Sequence, residues 1–400
     1  MRQAIGFLVL AALASGCSEN LTTPGDCPGN CPADHLDVRD TVITAERDST
    51  YTGFVTASQG TRLLLSDGFN GAQSIGVVRF ARSLDSISYL DTLRLATRDS
   101  VILSLTMLGR DSTVAGLTLD VYRLPPEPGL DTSTTYAEIA GLLTDDRRLG
   151  TVAIPDKETS STLRLKFSGA ELAKLAFTPA DSNVLRLAYQ LHSPTPTGIA
   201  VGGGASGTTG PQFVSWMRAT LPDTVVIQQV PRIVLFNATL GDAADVTPPP
   251  DLLTVGGIPS ARSIVRFSVP PLLTDSSQIV RATLVLVPSE PVGGIPGDST
   301  LLDVRGIFSD LGPKSPRIET NDALIITRLL EPGSVDSIAL DVTAIARLWD
   351  SAAGIPPALI LAMNPEAATF GLARFASSRV PGFAPALRIT YARPYPFEVQ

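Results

Sequence analysis

The chain has 400 residues, 44% hydrophobic and 18% charged, which supplies a sizeable core and argues against general disorder. A formal net charge of −8, with neither half basic, argues against nucleic acid as a partner, because phosphate neutralisation needs a basic surface. Thirty-three Gly and 32 Pro among many Thr, Ser, Val and Leu predict β-structure with frequent turns.

In chain order, Arg2, the apolar stretch 5–13 and the small residues Ala14-Ser15-Gly16 before Cys17 have the layout of an export signal. The stretch is too short for a permanent transmembrane helix, which needs about 20 residues. The segment resembles the lipobox of bacterial lipoproteins, with Ala14 where that family usually has Leu. The resemblance implies a signal peptide over 1–16 and a mature chain that begins at an acylated Cys17. A plain cleaved signal followed by a free cysteine is the alternative. Ser18 is not the Asp that retains some lipoproteins at the inner membrane, so the resemblance implies an outer-membrane anchor in the cell envelope. Residues 17–35 read as a polar tether spanning roughly 20–25 Å. Within it Cys27 and Cys31 are expected to close a small disulfide loop, against free thiols or an intermolecular bridge.

Beyond the tether, short strand-like segments recur in order at an offset of about 180–190 residues. Val77–Phe80 is answered by Ile264–Phe267, 101–106 by 280–286, 117–121 by 301–304, and 163–167 by 338–342. This predicts an all-β chain of two tandem β-sandwich domains, jelly-roll-like, over 36–222 and 223–400, with the boundary near Pro222. Leu163, Leu165 and Phe167 alternate with polar residues, as do Ile338, Leu340 and Val342, and Leu387, Ile389 and Tyr391. Period two with one apolar face marks a sheet that is wet on one side. Residues 358–363 are apolar on both faces and predict a central strand. Ser168-x-x-Glu171 reads as a capping box opening a short helix through Phe177, and Thr343 as the matching N-cap in the second half.

Candidates for chemistry are sparse. His192, beside Pro194, is a lone loop histidine with no Gly-x-Ser-x-Gly elbow to make a triad. The Gly202–Gly207 run is followed by a strand pattern and not by a helix, so it reads as a flexible hairpin tip instead of a phosphate cradle. Asp145-Asp146 and Asp242-x-x-Asp245 lack the ligand spacing of a calcium loop and read as solvated loops, which leaves structural calcium open and no cofactor expected. Trp349 reads as a packing residue. Trp216 lies opposite the inward series Phe213, Ser215 and Met217 and is the better sugar-stacking candidate. The chain has 27 Arg against four Lys, and Arg79 and Arg266 hold the same place in both repeats. Each fits either a carboxylate ligand on an open sheet face or a structural pair with a neighbouring acid.

The Ser263–Phe267 strand, the strand at Ala282-Thr283-Leu284, the Asp341–Trp349 turn and helix, and the close over 375–378 and 385–391 resemble the DNRLRE (disaggregatase-related) domain. That is an extracellular β-sandwich module found in tandem on microbial surface proteins. The match is best over 262–391 and weaker over 62–217, where Lys166 stands in place of the Asp. Some relatives of that family bind acidic polysaccharides such as alginate. The resemblance therefore implies a lipid-anchored, non-catalytic surface module for extracellular polysaccharide. The alternatives are an envelope scaffold that binds another protein, and a glycan-active enzyme with its acid pair among the scattered carboxylates.

Overall fold

The computed structural model describes residues 38–54, 60–81, 85–175, 184–242, 248–349 and 353–393. The signal and tether, with Cys17, Cys27 and Cys31, lie outside them. The chain opens with β1 (Val38–Phe54), β2 (Arg62–Phe69), β3 (Ala72–Phe80), β4 (Ser86–Tyr89), β5 (Thr92–Leu95), β6 (Thr97–Arg110) and β7 (Thr118–Arg123). After the short helix α1 (Tyr136–Ala140) come β8 (Arg148–Ala153), β9 (Ser161–Ser168), β10 (Leu185–His192), β11 (Thr197–Gly202) and β12 (Gln212–Thr220). Then follow β13 (Val225–Arg232), β14 (Val234–Gly241), β15 (Leu252–Gly256), β16 (Ser260–Phe267), helix α2 (Pro271–Asp275) and β17 (Gln278–Leu286). The remainder is β18 (Thr300–Gly306), β19 (Ile326–Leu330), β20 (Ile338–Asp341), helix α3 (Thr343–Ala346), β21 (Ala358–Asn364), β22 (Leu372–Ala376) and β23 (Ala386–Ala392).

These strands form two curved sheets, one nearly closed into a barrel and one a half-barrel, with a small β4–β5 hairpin beside them. The larger runs β13-β12-β6-β11-β2-β3-β10-β7-β8, with β14 on β3 and β9 on β6. The other runs β19-β18-β21-β16-β1-β23-β17-β20, with β15 joining β16 and β22. Each sheet folds over its own core. One core is built from residues such as Phe80, Leu103, Phe167 and Phe213, the other from Phe267, Leu284, Trp349 and Phe375.

The two pairing patterns repeat. β3 lies on β10 and β10 on β7, as β16 lies on β21 and β21 on β18. β9 pairs β6 as β20 pairs β17, and β12 pairs β6 as β23 pairs β17. The first strands depart from sequence order. β1 precedes the first sheet in the chain, yet it pairs β23 over residues 38–44 and β16 over residues 45–54. The run β13–β14 precedes the second sheet, yet it pairs β12 and then β3. The division expected at Pro222 puts β1 with the first half and β13–β14 with the second; the hydrogen bonding puts each with the other.

The alternation read from sequence recurs in the burial. Leu163 and Phe167 are buried between exposed Thr162, Arg164 and Lys166, and Leu387, Ile389 and Tyr391 point into the core. Residues 358–363 are buried throughout, in a strand held between β16 and β18. The helix ends differ from expectation. Residues 169–175 form a 3₁₀ turn, Phe177 lies outside the described residues, and the capping box is Thr135 with Glu138 on α1. In α3 Thr343 is the first helical residue and Val342 the cap. The Asp341 carboxylate accepts from the Thr343 amide at 3.0 Å and from its hydroxyl at 2.5 Å. An acid two residues upstream does the work expected of the threonine.

Candidate functional site

The halves meet where the β2–β3 and β15–β16 hairpins approach one another. Phe370, from the second half, packs with Leu64, Ala200 and Ile295, and its ring meets Phe69 edge-on at 5.3 Å between centroids. It fits because position 198 has no side chain: a Cβ there would lie 2.6 Å from Phe370 Cζ. Arg62 and Asp298 pair across the same seam at 3.2 Å.

Beside this contact lies a cleft of about 410 Å³. That is within the roughly 300–1,000 Å³ range of small-ligand sites, which often form between domains. Phe69, Ile258, Pro259, Phe370 and Leu372 supply apolar surface, while Asn70, Thr52, Asp242, Thr254 and Arg374 supply polar groups. Arg374 donates from Nη1 to Glu290 at 2.6 Å, but its Nε and the Thr254 hydroxyl are buried without a protein partner. Buried donors of this kind are normally satisfied. Asp242 is the one carboxylate among the described residues lining the cleft. Asp245, its expected neighbour, lies outside the described residues.

The residues singled out from sequence lie elsewhere. Arg266 is clamped by Asp310, Nε at 2.5 Å and Nη2 at 2.9 Å, and donates from Nη1 to Ser49 at 3.2 Å. The guanidinium's hydrogen bond holds the Asp310 carboxyl below the usual range, although burial opposes it. Arg79 donates to the Leu130 carbonyl at 3.0 Å and lies over the Phe236 ring. Trp216 is half-buried on the face opposite buried Phe213, Ser215 and Met217, and Trp349 is buried against Phe267. None of these four touches the cleft.

The glycine run is packed and not a flexible tip. A Cβ at Gly202 would strike the Thr209 carbonyl, one at Gly203 the Gly60 carbonyl, and one at Gly204 the Asn237 side chain. His192 ends strand β10, and its Nε2 lies 3.3 Å from Asp120 Oδ2. Asp120, 4% exposed, also accepts from Thr151 at 2.5 Å, Tyr122 at 3.2 Å and Arg148 at 3.3 Å. Burial alone would push this carboxyl up; the hydrogen bonds outweigh it and hold it below the usual range. The corresponding Asp303 in the second half is 3% exposed and is held by Arg305 at 2.7 Å. Both acids serve the fold. Among the described residues no group of three His, Cys, Asp or Glu is placed to hold a metal ion.

No protein-family model matches the chain, and no curated protein matches it.

Proposed function

We propose that this chain is a non-catalytic, lipid-anchored envelope protein built from two tandem jelly-roll-like sandwiches of the DNRLRE kind, and that the seam cleft binds a saccharide. The observation that carries this reading is the cleft itself, apolar surface from Phe69, Ile258, Pro259, Phe370 and Leu372 bordered by the polar side chains of Thr52, Asn70, Asp242 and Arg374. Sugar rings offer the matching surface, with C–H faces for the apolar side and hydroxyls for the polar border. Arg266 spends its donors on Asp310 and Ser49, and Arg79 is turned to the Leu130 carbonyl and the Phe236 ring, which weakens the guanidinium pair that an acidic polymer would use. Among the described residues the lining holds one cation and one anion, Arg374 and Asp242, so the reading favours a neutral glycan.

The test is retention of the protein on a panel of neutral and acidic polysaccharides at low and high salt. Retention by neutral polymers that is insensitive to salt and weakened at least tenfold by Arg374→Ala is expected. Salt-sensitive retention by acidic polymers alone would return the site to an arginine face. Retention on no polymer would leave the envelope scaffold as the better account.

A further inference from the structure

The first strands of the two halves sit in each other's sheets, and their side chains give a reason. β1 and β14 occupy equivalent slots: Asp48 lies opposite Val265 as Asn237 lies opposite Val78, and both strands carry a bulge two residues earlier, at Glu46 and Leu235. Inward contacts are shared. Asp48 accepts from the Ser378 amide and Asn237 accepts from the Gly204 amide, each just after the strand that ends beside it. Thr50 accepts from the Thr254 amide at 3.2 Å and Thr239 from the Leu64 amide at 2.9 Å.

Outward contacts are opposite in character. Phe236, Ala238 and Leu240 of β14 are buried in an apolar cluster with Tyr122, Leu124, Leu130 and Ile139. The matching β1 residues are Arg47, Ser49 and Tyr51. Arg47 is exposed near Asp310, Ser49 receives Arg266, and Tyr51 packs at the edge of a small cluster beneath the Asp310 loop. In its own half β1 would drive Arg47 and Ser49 into the apolar cluster, at the cost of burying unpaired polar groups. Placed in the second half, β14 would set Phe236 and Leu240 against Arg266 and Asp310. Asn237 adds a further distinction: its amide donates to the Gly60 carbonyl at 3.4 Å, which a carboxylate cannot do.

We infer that the outward faces of these strands encode a reciprocal exchange, so that each half presents a strand-binding slot selective for the first strand of the other. The halves are then obligate partners within one chain, joined by β-strand addition.

The test uses the full chain with Cys17, Cys27 and Cys31 changed to serine and a protease site inserted between Pro222 and Asp223. Asp40 faces Thr390 across the β1–β23 pair, with their side chains hydrogen-bonded at 2.6 Å. Asp40→Cys with Thr390→Cys is therefore expected to link the halves, giving one band of full mass after cleavage without reductant and two bands with it. Two bands without reductant would overturn the exchange. In a second chain the faces are transposed by Arg47→Phe, Ser49→Ala, Tyr51→Leu, Phe236→Arg, Ala238→Ser and Leu240→Tyr. That chain is expected to lose the 40–390 link and, with Asp40→Cys and Trp216→Cys, to form the link that belongs to β1 in the first half, because Trp216 faces Gln229, the β13 counterpart of Asp40. Retention of the 40–390 link at the original yield, or loss of folding, would overturn the claim that the faces decide.

Discussion

Gly198 and Phe370 show how one absent side chain joins two halves. Because a Cβ at 198 would meet the ring at 2.6 Å, Gly198→Ala is expected to cost about 1–3 kcal/mol through overpacking. Combining it with Phe370→Leu should recover part of that loss, a coupling that chemical denaturation of the four chains measures directly. Asp120 makes a second case. Its folded carboxyl ionises below the unfolded value of about 3.9, so its stabilisation is complete above that pH and fades as pH falls through the folded value. Asp120→Asn is therefore expected to lower stability at pH 7 by about 1–3 kcal/mol and to flatten the loss of stability between pH 5 and pH 2, read from denaturation midpoints. Sequence alone placed Arg79 and Arg266 at equivalent strand positions. It could not choose between their two readings, because Asp310 and Leu130 reach them through loops whose course no local pattern encodes. The buried acids Asp120 and Asp303 stood in matching Leu-Asp-Val segments. A polar residue in a half-wet strand looks the same whether water or an arginine meets it, so their burial stayed hidden.

At the scale of elements, alternation did most of the prediction. It identified β9, β20 and β23 because apolar faces follow the pleat whatever the neighbouring strand is, while a run apolar on both faces marked the central β21. The same independence concealed the exchange of β1 and β13–β14: a strand's period is identical in either slot, and only cross-strand chemistry tells the slots apart. The cleft was illegible for a related reason, since its walls come from hairpins nearly two hundred residues apart. The shared inward threonines supply a test at this scale. Thr239→Val and Thr50→Val each leave a strand amide without its acceptor, and each is expected to cost about 1–3 kcal/mol in thermal or denaturant unfolding. A change below 0.5 kcal/mol in both would mean that these hydroxyls do not anchor the exchanged strands.

For the whole molecule, exchanged strands and a shared seam make the two cores interdependent. One Trp sits in each half, Trp216 in the first sheet and Trp349 in the second core. Chains retaining only one of them, Trp349→Phe and Trp216→Phe, are expected to unfold with coincident fluorescence transitions, whereas midpoints that separate would show two independent units. The cleft lies where the two halves meet, beside the ends of both exchanged strands at Thr52–Gly53 and Asp242. A ligand held there would touch both halves at once. The most direct measurement is amide hydrogen exchange of the full chain with and without an oligosaccharide of a retained neutral polymer. Protection concentrated at residues 69–72, 256–259 and 370–374 is the result expected of a seam-binding protein, while protection around Trp216 or Arg266, with the cleft unchanged, would contradict it.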